Sequence, residues 1–288
     1  MWSLLLVAMA GADDRPAPPI LGGTDVAAGD AGPVLAVVDR DGVPYCTAVL
    51  LSPTIAITAA HCHGRANAVW VDTVDADDVQ ELVGVVASTP HPGGEQRPDV
   101  ALLELAEAVR TPAARLWSSC DGPVVDDGSS AIIEGWGATD PQATIWTDRL
   151  QRATVAIDEA RCTDDEFGCW PALQPDGELT TIGDGVDTCV GDSGGPIWVG
   201  TGGERWLLGV ASRAVIDRDG PPCGAGGIFV RLDPIRAWLQ EQGDVDLPCV
   251  GGQRDCGCSQ YNGTSTPVLA LPFGLLFGLL ARRRRASR

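Results

Sequence analysis

Three side chains stand out for their local sequence. They are Ser193 in Gly191-Asp192-Ser193-Gly194-Gly195-Pro196, His61 in Thr58-Ala59-Ala60-His61-Cys62, and Asp99, which opens Asp99-Val100-Ala101-Leu102-Leu103-Glu104-Leu105. A serine hydroxyl is a weak nucleophile at neutral pH and needs an adjacent base to take its proton. Histidine suits that task because its ordinary pKa is about 6.5. A carboxylate can then orient the imidazole and stabilise its charged form. Gly191 permits a tight turn that aims its N–H, together with that of Ser193, at a developing oxyanion. These residue types point to acyl transfer by a serine nucleophile.

Other residues compete for these roles. His63 is close to His61 but lies outside the motif and reads as a surface residue, and His91 receives no role. Asp72, Asp75, Asp77 and Asp78 fall in an acidic loop, whereas Asp99 opens an apolar strand that would bury it beside the base. The loop 72–81 could take calcium, although acidic loops are more often simply solvated. His61-Cys62-His63 is a poor metal set, because neighbours in a strand-like segment face opposite ways and Cys62 is better used in a disulfide. No metal and no cofactor is expected.

The elements that must hold these residues are strands. Apolar runs of strand length occur at 34–38, 48–51, 55–58, 69–71, 82–86, 100–105, 131–134, 153–157, 197–199, 206–211 and 228–231, most of them separated by turn residues. With 36 Gly and 21 Pro spread along the chain, this is an all-β pattern. One helix is expected late. Asp233 can cap it, Pro234 suits its first position, and Ile235, Trp238 and Leu239 share one face.

In their order and wording, the three segments resemble the chymotrypsin/trypsin family of serine peptidases. Ile20-Leu21-Gly22-Gly23, Gly135-Trp136-Gly137 and the late helix fall in the same order, so the resemblance covers residues 20–242. It implies two antiparallel six-stranded Greek-key β-barrels followed by a C-terminal α-helix. It also implies an endopeptidase acting on protein or peptide substrates through an acyl-enzyme. His61 would be the base, Asp99 the orienting carboxylate and Ser193 the nucleophile, with Gly191 and Ser193 forming the oxyanion hole. Asp187, six residues before the nucleophile, falls at the base of the primary pocket and implies cleavage after Arg or Lys. Ser212, Ala214 and Gly227 would line that pocket. Cys46–Cys62 and Cys189–Cys223 match family disulfides. Cys162 and Cys169 could bridge locally, and Cys120, Cys249, Cys256 and Cys258 stay unassigned.

Two features depart from the family pattern. The strand at the pocket entrance usually reads Ser-Trp-Gly but here reads Ser212-Arg213-Ala214, with Arg213 expected to face solvent. Activation in the family frees an N-terminus like that at Ile20, whose amine pairs with the residue corresponding to Asp192. Pro19 precedes Ile20, so a trypsin-like activator would not make this cut. Either a different processing enzyme acts, or a zymogen-like form already holds the oxyanion hole. The rival function is a catalytically silent homologue serving as a binding or adhesion module, but such proteins usually lack one of the three residues.

Residues 1–10 read as a signal peptide ending in Ala8-Met9-Ala10, and 11–19 as a propeptide or linker. Residues 243–266 form a Cys-containing linker, and 267–288 an apolar run with an Arg282–Arg285 cluster. This arrangement resembles MYXO-CTERM-type sorting signals and implies membrane or cell-surface anchoring. Ten scattered cysteines favour disulfides in an oxidising compartment, so the protein is expected to be secreted or on the cell surface, and bacterial. The net charge of −19 and the lack of a basic stripe argue against nucleic acid as a partner.

Overall fold

The computed structural model describes residues 20–243 and 245, except 94–97, 166, 172–174, 201–202 and 217–219. Residues 1–19, read above as a signal peptide and a propeptide or linker, and residues 246–288 lie outside the described residues, and so do Cys249, Cys256 and Cys258.

After a two-residue strand β1 (Thr24–Asp25), six strands form a closed antiparallel barrel. They are β2 (Val34–Val38), β3 (Pro44–Ser52), β4 (Ile55–Thr58), β5 (Ala68–Val71), β6 (Glu81–Pro90) and β7 (Ala101–Leu105). Their order around the barrel is β2-β3-β4-β7-β6-β5. All five residues of β2 are buried, because both of its faces are covered. Leu35 and Val37 join Leu50, Val69, Val71 and Leu103 in one core. Val34, Ala36 and Val38 turn the other way, to a core shared with Trp136, Trp198, Leu207 and Val210 of the second half. Successive side chains point to opposite faces, so a strand buried on both sides reads as a continuous apolar run.

The second half holds β8 (Ser130–Gly135), β9 (Gln151–Ala156), β10 (Glu178–Thr180), β11 (Pro196–Val199), β12 (Trp206–Ala214) and β13 (Gly227–Arg231). Its sheet runs β1-β9-β8-β11-β12-β13-β10. An Ile157–Thr181 bridge returns the β10 end to the β9 end, with Ile182 N donating to the Ala156 carbonyl at 3.0 Å. The six strands β8–β13 therefore wrap round a core of Ile133, Val155, Leu179, Leu208 and Phe229, as the expected fold requires. Its one fully buried carboxylate on β8, Glu134, accepts Arg152 Nε, Arg205 at 2.9 Å and Trp198 Nε1 at 2.7 Å.

The late helix, α1 (Arg236–Gly243), buries Leu239 as anticipated. Asp233, however, serves a different partner. Its carboxylate takes both Nε and Nη2 of Arg231, at 3.0 and 3.1 Å.

Candidate active site

β4 delivers His61 and β7 delivers Asp99. Thr58 pairs with Ala101, so the residues just beyond each strand end come together. A short 3-10 helix (Ala60–Arg65) then turns His61 toward the carboxylate. His61 Nδ1 lies 2.9 Å from Asp99 Oδ2, and the His61 backbone N–H donates to Oδ1 at 3.1 Å. Ser212 on β12 donates its hydroxyl to Oδ2 at 2.7 Å. Asp99 is buried while His61 stays exposed, so one end of the imidazole is fixed and the other faces outward.

Ser193 sits in the turn before β11. Its carbonyl accepts Thr47 N at 2.9 Å, and Cys62 Sγ lies 3.9 Å from that same carbonyl. The Cys46–Cys62 disulfide ties the His61 turn to β3, so strand β3 holds both the serine and the histidine. Gly191 has φ +102°, and a Cβ there would fall 2.7 Å from Gly137 Cα and 2.7 Å from the Trp146 ring. The Gly191 carbonyl is anchored by Thr47 Oγ1 at 3.0 Å, which fixes the peptide that follows. Among the described residues, the N–H groups of Gly191 and Ser193 have no hydrogen-bond acceptor. Two unmet donors beside a serine hydroxyl are what a developing oxyanion would need.

Asp192 is fully buried, and its oxygens accept Gly137 N and Cys189 N, each at 2.8 Å. Burial pushes its pKa up to about 7, and the neighbouring Asp187 charge adds to the rise. Ile20 is also fully buried, packed in the second core, and Leu21 accepts Asp187 N at 3.0 Å.

Beside Ser193 opens a cavity of about 130 Å³, whose lining includes Thr188, Cys189, Ser212, Arg213, Ala214 and Cys223. The Cys189–Cys223 disulfide forms part of its wall. Asp187 stands behind this lining and is fully buried. One of its oxygens accepts Gly224 N and Gly226 N at 2.9 and 3.0 Å, and the other accepts Thr188 N at 2.7 Å. Burial raises its pKa against the lowering effect of those N–H groups. Gly227 also lies behind the lining. A Cβ there would meet Thr188 Oγ1 at 2.8 Å, so this glycine makes room for Thr188.

Arg213 does not face solvent. Its guanidinium forks onto Glu178 of β10 at 2.7 and 3.0 Å and stacks 3.6 Å over the Trp170 ring. Glu178 and Trp170 carry no signal in the sequence, since only the closed sheet brings 178 to 213. Thr47 and Trp146 went unread for the same reason.

Atoms of Cys46, His61 and Cys62 lie within 4.8 Å of one another, but both sulfurs are spent in their disulfide, so they offer no thiolate to a metal. In the 72–81 loop, Asp72, Asp75, Asp78 and Glu81 surround one hollow. Asp75 is already paired with Arg149 at 2.6 Å, and Asp72 accepts Thr111 Oγ1 at 2.8 Å. Cys162 and Cys169 form the local bridge.

A closed barrel, a second wrapped sheet and an aspartate-bound histidine beside a half-buried serine at a tight turn define a serine-peptidase architecture. Comparison with known proteins agrees. The family model described as Trypsin matches residues 20–239. A trypsin of Saccharopolyspora erythraea is 29% identical over 238 residues, covering 77% of this chain and 97% of that protein. Human kallikrein-5 is 28% identical over 217 residues, covering 72% and 70%. Serine protease 56 of mouse is 31% identical over 241 residues, 77% of this chain but only 38% of that longer protein. The chain belongs to the trypsin family and is a serine endopeptidase.

Proposed function

We propose that Ser193 attacks the carbonyl carbon of a peptide bond while His61 accepts its proton. The imidazolium that forms is held by Asp99 and then protonates the departing amine, leaving an acyl-enzyme that water hydrolyses by the same route. The tetrahedral oxyanion takes up the N–H groups of Gly191 and Ser193. The observation that carries this reading is the 2.9 Å His61–Asp99 contact beside a serine turn with two unmet backbone donors.

The same reading assigns the pocket to Arg or Lys side chains. A buried carboxylate short of solvation gains most from a cation, and Oδ1 of Asp187 holds only the Thr188 groups. Ser212 and Ala214 form the entrance. Release of an N-terminus at Ile20 would supply an α-amine for Asp192. Three disulfides among the described residues support action in an oxidising compartment, outside the cytoplasm. Anchoring of a bacterial chain through the 267–288 segment completes the proposal. No helix among the described residues is long and apolar enough to cross a membrane, and the proposed anchor lies outside them.

A panel of peptides differing only at the residue before the cleaved bond tests the pocket. Turnover should favour Arg and Lys, and a preference for large apolar residues would overturn the assignment.

A further inference from the structure

Arg213 stands beside the reaction centre and is held far more firmly than a surface cation. Each terminal nitrogen of its guanidinium carries two protons, and all four have acceptors. One nitrogen donates to Glu178 Oε1 at 2.7 Å and to Ser212 Oγ at 3.2 Å. The other donates to Glu178 Oε2 at 3.0 Å and to the Gly168 carbonyl at 2.9 Å. Glu178 is itself buried and also accepts Trp170 N at 2.9 Å. The loop that brings Gly168 and Trp170 is closed by the Cys162–Cys169 bridge, and Cys162 N donates to the Glu178 carbonyl at 3.0 Å. The arginine, the glutamate and the local disulfide therefore act as one unit. A lysine could not replace the planar fork.

The consequence falls on Ser212. A hydroxyl has one proton and can accept as well as donate. With Arg213 donating into Oγ, the Ser212 proton is directed at the acceptor on its other side, Asp99 Oδ2 at 2.7 Å. That same oxygen holds His61 Nδ1 at 2.9 Å. We propose that Arg213, clamped by Glu178 and Trp170, is a positioning residue that locks the Ser212 hydroxyl onto Asp99 and so fixes the carboxylate that orients His61. The inference rests on the serine-nucleophile reading above. Three titratable groups lie on segments adjoining this network: Glu159, whose backbone pairs with Thr180 two residues after Glu178, and His63 and His91, which flank His61 and Asp99 on their own segments. His63 is tied through Nδ1 to the Ala60 carbonyl, and His91 has its ring against Trp238.

The test is a double-mutant cycle on the purified chain. Removing Arg213 alone would strand a buried glutamate, so the perturbation is Arg213→Met with Glu178→Gln, made with Ser212 present and again in Ser212→Ala. With Ser212 present, kcat on a short peptide amide should fall about tenfold, the worth of one misplaced hydrogen bond, with KM changed less than about twofold. In the Ser212→Ala background the further loss should shrink below about twofold, since the relay is already cut. The NMR titration midpoint of His61 should rise in the double variant only when Ser212 is present. The same two charges are removed in both backgrounds, so the difference between them reads the hydroxyl. Equal kcat losses in both backgrounds, or a loss confined to KM, would overturn the proposal. If a parent processed to begin at Ile20 cleaves nothing, the peptidase reading fails separately, and the His61 titration still decides the relay.

Discussion

Asp192 makes the stability of this fold depend on pH in a way that can be isolated. Its carboxyl is fully buried, and burial pushes its pKa from 3.8 to about 7. A folded-state pKa above the unfolded one means the folded chain binds the extra proton between about pH 4 and pH 7. The stability that Asp192 contributes is therefore fully present below about pH 4 and is lost as pH rises through 7. Three pKa units correspond to about 4 kcal/mol. For a domain of this size that is on the order of 10 °C in Tm. Asp187, whose pKa is also raised by burial, contributes with the same sign, so the raw curve mixes the two. Asp192→Asn separates them. The Tm difference between the parent and Asp192→Asn, measured by differential scanning calorimetry from pH 4 to pH 8, should change by roughly that amount in the variant's favour as pH rises. A chain whose N-terminus has been cut to Ile20 should lose most of this slope, because the new amine would hold the carboxylate ionised. A Tm difference that stays flat across pH 4–8 would refute the reasoning about Asp192.

Two further substitutions test other parts of the structure. Gly191→Ala would place a Cβ 2.7 Å from Gly137 Cα at φ +102°. It should lower kcat on the order of 10²–10³ by displacing an oxyanion donor, and undiminished kcat in a stopped assay would argue against that role for Gly191. Glu134→Ala would leave Arg152 and Arg205 without their shared carboxylate inside the second half. Both arginines keep partial access to solvent, so urea unfolding should show a loss of about 1–3 kcal/mol, and a change below about 0.5 kcal/mol would contradict a structural role for Glu134.

The three catalytic candidates were legible because each lies in a local motif, and the strands were legible because burial on both faces makes runs such as Val34–Val38 continuously apolar. β1 and β10, at two and three residues, are too short to show a period. β6 was read short because most of its ten residues are exposed or half-buried and carry no clear alternation. Asp233 looked like a helix cap, but a nearby arginine two residues earlier competes for the same oxygens. Arg213 was misread for a related reason. Its partner Glu178 is 35 residues away, and only β10 pairing with β13, itself paired with β12, brings them together. The sequence shows which residues can react, and the sheet closure decides what holds them.

The most direct test of the account is covalent labelling of Ser193. Incubating the processed protein with a fluorophosphonate probe should attach one label, located by peptide mass spectrometry on Ser193, and Ser193→Ala should take none. Absence of labelling in folded, processed protein, or equal labelling of Ser193→Ala, would contradict the claim that Ser193 is the nucleophile activated by His61 and Asp99.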